Sequence, residues 1–216
     1  MLPTRIPGLV KRLYHSLTWD LYNCTDSVFL TFDDGPTPGV TKQVLDILKA
    51  FDALATFFCI GRNAERNPEL ISMIRSAGHI IGNHTYSHLN GMKTRNRDYY
   101  NDIQLARSFT PSELFRPPYG MISPSQIKHL KKQYTIIMWD IMSYDYDPAV
   151  SREKCLDNVI TSVRPGSVVV FHDSLKASEK VLYALPRVLE FVKEKGWKGS
   201  PLRLPIRGRE RKDCEC

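Results

Sequence analysis

The sequence predicts a single α/β domain whose parallel strands close into a barrel. Short apolar runs, which are typical of buried strands, alternate along the chain with segments that have the helical period of 3.6 residues. With 216 residues and 42% hydrophobic content, the chain is long enough to bury one substantial core. Titratable or conformationally stiff residues directly follow strand after strand, which is the distribution that a (β/α) barrel with a catalytic face produces.

Six apolar runs account for the predicted strands. They span residues 28–32, 55–60, 79–82, 114–116, 134–139 and 167–172. Two of the helices between them carry clear signals. Residues 40–51 place their apolar side chains on one face, and residues 68–77 have Asn67 at the cap position, a proline in the first turn and Gly78 as a stop.

Two adjacent carboxylates stand at the end of the first predicted strand. Asp33 and Asp34 follow its apolar residues, and a Gly-Pro pair ends the strand directly after them. Successive side chains of a strand point to opposite sides, so the two carboxylates can serve different partners. Close carboxylates also resist being ionised together unless a cation lies between them. The pair therefore predicts a metal ion nearby, although adjacency alone does not decide which aspartate binds it.

Two histidines four residues apart can supply further ligands for such an ion. His84 and His88 lie either on one face of a helical turn or across one tight loop. One carboxylate and two imidazoles leave coordination positions open, as in catalytic metal sites, whereas structural zinc usually has four protein ligands. Thr85 follows the first histidine, so the His-Glu-x-x-His motif is absent. The general base must come from elsewhere, and the second aspartate of the pair is the obvious candidate.

Each of these motifs, taken by itself, is more often structural than functional. A single histidine is usually a hydrogen-bonded core or surface residue, and Asp-Asp-Gly-Pro is usually a turn. Three further polar clusters that follow apolar runs favour a functional site instead. They are residues 116–120 (Arg-Pro-Pro-Tyr-Gly), residues 139–145 (Trp-Asp through Ser-Tyr-Asp) and residues 168–173 (Val-Val-Val-Phe-His-Asp).

With these motifs in this order and spacing, the chain resembles the polysaccharide deacetylase family, also called the NodB homology domain or carbohydrate esterase family 4. The resemblance extends from about residue 26 to residue 203. It implies a distorted (β/α) barrel with fewer than eight complete units. It also implies a metal-dependent hydrolase that removes acetyl groups from N-acetylated, or O-acetylated, sugar units of a glycan such as peptidoglycan, chitin or xylan.

The resemblance also assigns roles to individual residues. Asp34, His84 and His88 match the ligands of one divalent metal ion, with zinc as the expected ion and cobalt, nickel or iron as alternatives. Asp33 matches the catalytic base that activates the attacking water. Arg116 matches the arginine that holds this base.

Three more residues match the remaining catalytic positions of the family. The backbone N–H of Tyr119 matches an oxyanion donor, and His172 matches the general acid. Asp145 matches the residue that orients this histidine and tunes its pKa, with Asp140 and Asp147 as alternative contributors. This division suits amide hydrolysis, because the base and the acid need opposite proton affinities.

Two residues depart from the family pattern. Tyr146 follows Asp145 where the family usually has Trp, and Val170 stands two residues before His172 where the family usually has Leu. Both changes keep the lining apolar. We therefore expect them to alter the shape of the acyl pocket and the substrate preference more than the chemistry.

The pattern divides the chain into three parts. Residues 1–25 form an N-terminal amphipathic extension, residues 26–203 the deacetylase domain, and residues 204–216 a basic C-terminal tail. In the extension, apolar residues between positions 5 and 19 form a stripe beside basic ones. The commoner explanation is a helix that packs on the outside of the barrel or closes its bottom, and peripheral contact with an anionic membrane is the alternative.

Composition limits the partners and the location. The net charge of +7 permits attraction to anionic glycans, whereas no recognition motif favours nucleic acid. The five cysteines are odd in number and scattered, so they do not predict a disulfide framework. No signal peptide or membrane span is evident, which makes the cytoplasm the default location and association with the cell envelope the alternative. The sequence leaves the oligomeric state open.

Three functions from different classes are compatible with the sequence. The first is metal-dependent deacetylation of a glycan. The second is hydrolysis of a small amide on the same scaffold, because a fold does not fix a substrate. The third is a catalytically silent carbohydrate-binding module. A pure binding module needs no separate base and acid, so the presence of both Asp33 and His172 argues against it.

Overall fold

The computed structural model describes residues 3–203, and its centre is a curled sheet of parallel strands. The strands are β1 Ser27–Asp33, β2 Thr56–Cys59, β3 Ile80–Asn83, β4 Leu114–Phe115, β5 Thr135–Ile136, β6 Ile141–Met142, β7 Val168–His172 and β8 Lys198–Gly199. The helices are α1 Gly8–Leu13, α2 Val40–Ala50, α3 Gly61–Arg66, α4 Pro68–Ser76, α5 Asn96–Arg107, α6 Pro124–Leu130, α7 Arg152–Ile160 and α8 Ser178–Glu194.

Seven of the strands follow the order β5-β4-β3-β2-β1-β7-β6, and β8 pairs with the start of β1. The pairings between these strands are parallel, so their carboxyl ends meet at one end of the barrel. The sheet ends at β5 on one side and at β6 on the other. The α/β prediction and the distorted barrel with fewer than eight complete units are therefore confirmed.

Burial on both faces explains why the central strands are apolar at nearly every position. All seven residues of β1 are buried, and Phe32 stacks between Phe57 of β2 and Phe171 of β7. The ring centroids are 4.9 and 6.0 Å apart. The largest core cluster joins this stack to apolar residues of α2, α7 and α8. A parallel sheet covered in this way needs continuous rather than alternating hydrophobic residues.

The two helices with clear sequence signals are confirmed. α2 and α4 begin at Val40 and Pro68 as predicted, and Gly78 after α4 has a φ of 85°. Asn67 occupies the N-cap position of α4, but it makes no capping bond. Its side-chain amide donates instead to the carbonyl of Asn63 at 2.9 Å.

Residues 3–20, which we call the N-terminal strap, lie between the two edges of the curled sheet. On the β6 edge, the N–H of Met142 donates to the carbonyl of Thr4 at 2.9 Å. On the β5 edge, the N–H of Thr18 donates to the carbonyl of Ile136 at 3.0 Å. The strap thereby satisfies backbone groups that an open sheet would leave unpaired at its edges.

The strap also explains two differences from the sequence-based expectations. The predicted strand at residues 134–139 is observed only as β5, because the backbone beyond it bonds to the strap: the N–H of Met138 donates to the carbonyl of Thr18 at 2.7 Å. The apolar stripe at residues 5–19 is helical only in α1, and Trp19 is buried beyond it.

A buried carboxylate anchors the strap. Asp140 is fully buried, and its two oxygens accept hydrogen bonds from Arg5 at 3.2 Å, from the Lys11 ammonium and from the Ser167 hydroxyl at 2.8 Å. Lys11 also contacts Asp20 at 2.5 Å. Burial raises the pKa of Asp140, but the bonds from Lys11 and Ser167 outweigh it, and the pKa is lowered.

Some sequence-based expectations fall outside this description. The predicted basic tail at residues 204–216, with Cys214 and Cys216, lies outside the described residues, and the domain boundary at residue 26 stays a prediction. Cys24, Cys59 and Cys155 are buried. Between residues 3 and 203, none of the helices combines the length and apolar character needed to cross a bilayer.

We expect Asp140→Ala to detach the strap from the barrel. The substitution removes one partner from a buried ion pair, which costs about 3 kcal/mol at the low end of measured cases. We expect the low end because Lys11 keeps Asp20 as a partner. Hydrogen exchange should quicken at the strap amides of Ile6 and Thr18, and urea unfolding measures the loss of stability.

Asp46→Ala is the matched control, because Asp46 pairs with Lys42 at 2.9 Å on an exposed helix surface. Exposed pairs of this kind contribute up to about 1 kcal/mol. If both variants lose equal stability, and if the strap amides of both exchange hydrogen at equal rates, Asp140 does not anchor the strap.

Candidate active site

The polar groups predicted from the sequence meet at the carboxyl ends of the strands. Asp33 is the last residue of β1, and its register partner on β7 is His172, the last residue of that strand. His84 directly follows β3, Arg116 directly follows β4, and Asp145 lies three residues after β6. Parallel pairing therefore assembles one site from residues scattered over 140 positions of the sequence.

The site opens into a cleft of about 520 Å³, a volume typical of sites that enclose small ligands. Its lining combines six of the predicted site residues with a mostly apolar wall. The predicted residues are Asp33, Asp34, His84, His88, Tyr119 and His172. The wall includes Pro117, Trp139, Met142, Tyr144 and Tyr146.

Asp34, His84 and His88 form a group that fits a metal ion. Asp34 Oδ1 lies 3.1 Å from His88 Nε2 and 3.7 Å from His84 Nε2. One potential ligand atom from each residue lies within 4.8 Å of the other two. One carboxylate oxygen and two imidazole nitrogens are a donor set that suits zinc and the neighbouring transition metals.

Hydrogen bonds on the far side of each imidazole favour this role. His84 Nδ1 lies 2.8 Å from the carbonyl oxygen of Arg116, which can only accept, so Nδ1 carries the proton and Nε2 presents its lone pair towards Asp34. Burial lowers the pKa of His84 to about 4, which keeps the ring neutral. His88 Nδ1 lies 3.1 Å from the hydroxyl of Tyr119. Such outer partners orient ligating histidines.

Arg116 holds the other aspartate. Its guanidinium is fully buried, and Nη1 donates to Asp33 Oδ1 and to Thr31 Oγ1, both at 2.7 Å. Nη2 donates to the carbonyl of Met138 at 2.8 Å, and the group lies 4.1 Å above the centre of the Phe58 ring. With its donors occupied and its plane packed, the arginine fixes the orientation of the Asp33 carboxylate.

Asp145 grips His172 at two points. Asp145 Oδ1 lies 2.7 Å from Nδ1 of the ring, and Oδ2 accepts the backbone N–H of the histidine at 2.6 Å. Burial by itself lowers the pKa of His172, but Asp145 and the more distant carboxylates of the site outweigh it and raise the pKa to about 9. The alternatives Asp140 and Asp147 bond elsewhere, the first to the strap and the second to its own loop.

Comparison with known proteins assigns the chain to a family. The model of the family described as polysaccharide deacetylase matches residues 22–136, which is more than half of the chain. The chain belongs to the polysaccharide deacetylase family.

Individual members of the family agree with this assignment. A peptidoglycan-N-acetylglucosamine deacetylase of Bacillus cereus is 34% identical over 84% of this chain and 89% of the relative. A chitooligosaccharide deacetylase of Azorhizobium caulinodans is 33% identical over 73% of this chain and 78% of the relative. The crystal structure of a peptidoglycan N-acetylglucosamine deacetylase bound to 4-naphthalen-1-yl-N-oxidanyl-benzamide has a TM-score of 0.82 and 32% identity. The match covers 91% of this chain and 95% of that one.

The loops of this polysaccharide deacetylase carry unusual backbone conformations. Six non-glycine residues between positions 3 and 203 have φ between 52° and 75°, and five of them lie in loops at the site. Those five are Asp34, Thr85, His88, Tyr119 and Tyr144. The loop from 84 to 88 is therefore the tight loop of the two sequence-based alternatives. Non-glycine residues with positive φ have a strained backbone. Such residues cluster at functional sites, where the surrounding structure holds them in place.

Sequence reasoning missed two groups beside the metal triad. Asp173 is fully buried and accepts a hydrogen bond from Thr41 at 2.5 Å, and its carboxylate packs so closely on Gly35 that a Cβ there would lie 2.1 Å from it. The only sequence signal for Asp173 was its place directly after His172. Lys176 lines the cleft with its Nζ 3.6 Å from Asp34 Oδ2. No signal marked Lys176, since exposed loop lysines are common.

The two departures from the family pattern have different outcomes. Tyr146 lines the cleft, and its ring meets the edge of His172 at a centroid distance of 5.0 Å. Val170 is fully buried among core residues of β7 and is not part of the cleft lining. Tyr146 is therefore placed to shape the pocket directly, and an effect of Val170 on the pocket stays a prediction.

We expect the protein to bind one divalent ion and His84→Ala to lose it. Removing an outer partner of a ligating histidine already costs about 10- to 100-fold in metal affinity, so removing the ligand should cost more than about 100-fold. Calorimetric titration with zinc, followed by elemental analysis, measures the affinity and the stoichiometry.

His129→Ala is the control for this titration, since His129 is exposed and stacks on Tyr100 away from the cleft. It should bind zinc like the wild type. Equal zinc affinity in both variants would show that the ion binds elsewhere.

Proposed function

We propose that the protein is a metal-dependent hydrolase that removes acetyl groups from N-acetylated sugar units of a glycan, with peptidoglycan and chitooligosaccharides as the first substrates to test. One observation carries the proposal: Asp33 and His172, as register partners on β1 and β7, face the same cleft as the Asp34, His84 and His88 triad. Relatives named as peptidoglycan and chitooligosaccharide deacetylases support it.

Asp34, His84 and His88 would hold the ion, with zinc favoured by the donor set and cobalt, nickel or iron as alternatives. A divalent ion bound there would polarise a carbonyl oxygen and would lower the pKa of bound water from about 15.7 to about 7. With this help, the base that removes the proton from water needs only modest basicity.

Asp33 accepts that proton. Arg116 holds its carboxylate in one orientation, so the free oxygen points to one place without an entropic cost at the moment of reaction. The attack leaves negative charge on the former acetyl oxygen. The backbone N–H of Tyr119, which lines the cleft, donates to that oxygen, and such donors are worth about 100- to 1,000-fold in rate.

His172 donates the proton that the departing sugar amine requires. Asp145 bonds to Nδ1 and keeps the ring charged at neutral pH, which leaves Nε2 as the donor. Asp33 and His172 thus have partners of opposite charge. Asp33 bonds to a guanidinium and His172 bonds to a carboxylate, which suits the first to accept a proton and the second to donate one. A peptidoglycan substrate would place the enzyme at the cell envelope, where the net charge of +7 favours anionic polymers.

We expect acetate release from N-acetylated oligosaccharides by the metal-loaded protein, loss of release on chelation, and recovery when metal is restored. Asp33→Asn should lower kcat by about 100- to 10,000-fold, the usual contribution of a general base, with oligosaccharide binding retained. A coupled acetate assay on chitooligosaccharides, peptidoglycan fragments and acetylated xylan measures the turnover.

Three outcomes of this assay would contradict the proposal. Full turnover by protein that elemental analysis shows to be metal-free would contradict a metal-dependent mechanism. Release of ammonia from small amides without acetate release from any glycan indicates an amide hydrolase. Glycan binding without turnover, equal in the wild type and in Asp33→Asn, indicates a silent binding module.

We expect Asp145→Asn to move the alkaline limb of the pH profile. The acid works only when protonated, so kcat/KM falls as the pH rises through the pKa of His172. Because the Asp145 charge raises that pKa, its removal lowers the pKa, and the alkaline limb shifts to lower pH by more than about one unit. Asp147→Asn, whose carboxylate bonds within its own loop, should leave the limb in place. If the alkaline limb of kcat/KM stays at the same pH in Asp145→Asn, His172 is not the general acid.

A further inference from the structure

The N-terminal strap forms part of the catalytic cleft. Its residues line the same cavity as the predicted base, acid and metal ligands, although sequence patterning placed this segment on the outside or at the bottom of the barrel. The strap residues in the lining are Pro3, Ile6, Pro7 and Val10. This part of the strap therefore reaches the carboxyl ends of the strands, where a substrate enters, whereas Asp20 pairs with Ser167 at the amino end of β7.

The anchors of the strap lie directly beside its lining residues in sequence. Arg5 precedes Ile6, Lys11 follows Val10, and both cations reach the buried carboxylate of Asp140. Between the anchors, the N–H of Ile6 donates to the carbonyl of Asp140 at 2.9 Å. These bonds fix the two aliphatic side chains relative to the barrel, which is what a preformed binding wall requires.

The strap also touches the aromatic part of the cleft. The hydroxyl of Tyr144 donates to the carbonyl of Pro3 at 3.4 Å, and Tyr144 lines the cleft beside Tyr146 and Met142. The strap continues this apolar surface without adding a charged or hydrogen-bonding side chain to it. Such a surface complements the C–H face of a sugar ring, whose hydroxyls point outwards, and it does not suit a charged group.

We propose that Ile6 and Val10 are specificity-determining residues, which form an apolar wall against the C–H face of the N-acetylated sugar unit. This inference rests on the proposed deacetylase function, but it concerns how the glycan is held rather than the chemistry. The wall acts on binding alone, since neither side chain carries a group that can take part in proton transfer. Its removal should raise KM and leave kcat in place.

The strap supplies its own matched controls. Leu9 and Leu13 lie on the same short helix and are 79% and 72% exposed, but neither lines the cleft. Val10 is 36% exposed, so its truncation leaves the fold intact even where Ile6→Ala loosens the strap. Variants at the two kinds of position truncate similar aliphatic side chains, and only those at Ile6 and Val10 change the cleft lining.

The test compares Val10→Ala and Ile6→Ala with Leu9→Ala and Leu13→Ala in the metal-loaded full chain. For acetate release from a chitooligosaccharide, KM should rise about 10-fold in the first two variants, the low end for losing one methylene in an apolar pocket. It should stay within about 2-fold of the wild type in the controls, with kcat within about 2-fold throughout. Thermal melting confirms that each variant is folded.

Two kinetic outcomes would contradict the proposed role of Ile6 and Val10. One is an equal KM in Val10→Ala and Leu9→Ala. The other is a lowered kcat with an unchanged KM in Val10→Ala and Ile6→Ala. Failure of the deacetylase proposal looks different, because the wild type then releases no acetate at all. Calorimetric binding of the same oligosaccharide to the zinc-loaded proteins still tests the wall in that case. Weaker binding by Val10→Ala than by Leu9→Ala supports it, and equal binding overturns it.

Discussion

A buried guanidinium joins the parts of the barrel on which the site depends. Arg116 leaves the end of β4 and donates to Asp33 and Thr31 of β1, and to backbone carbonyls of residues 137 and 138 that follow β5. Thr31 passes the connection on by donating to the carbonyl of Val169 in β7. A full charge without solvent is costly unless its donors are paired, so these strand ends are held at fixed distances. The arginine thereby connects the sheet geometry to the position of the Asp33 carboxylate.

The two adjacent aspartates show how a fold separates similar groups. Asp33 is still within β1 and belongs to the ladder, whereas Asp34 lies just beyond it with a φ of 75°. This turn of the backbone directs one carboxylate to Arg116 and the other to the histidines. Each carboxylate thus has its own partner, and at Asp34 burial raises the pKa while the hydrogen bond from His88 and the nearby histidines outweigh it and lower the pKa.

The sequence contains enough to locate the site but not all of its arrangement. Asp34, His84 and His88 were predicted as a group because metal chemistry limits which residues can be ligands and strand ends limit where they lie, and the structure brings the three together. The sequence alone did not show which of Asp33 and Asp34 faces the histidines. The direction of each carboxylate depends on the φ angle of Asp34, which no residue type at this position indicates. The strap was misplaced because helical periodicity shows which side of a helix is apolar but not which surface it covers. Asp140 offered a signal, a lone carboxylate within an apolar run, but its partners in the strap lie more than 120 residues away.

The anchoring of the strap has a consequence for how the molecule assembles. Arg5 and Lys11 are separated from Asp140 by 135 and 129 residues. The pairing of β1 with β7 joins Asp33 to His172 across a similar stretch of chain, so the strap and the strand ends both depend on loop closure over most of the chain. They differ in their surroundings, because β1 and β7 are buried at every position, whereas α1 of the strap has no buried residue. Substitutions on α1 therefore disturb few packed neighbours, and the strap can accept sequence changes that the two strands cannot.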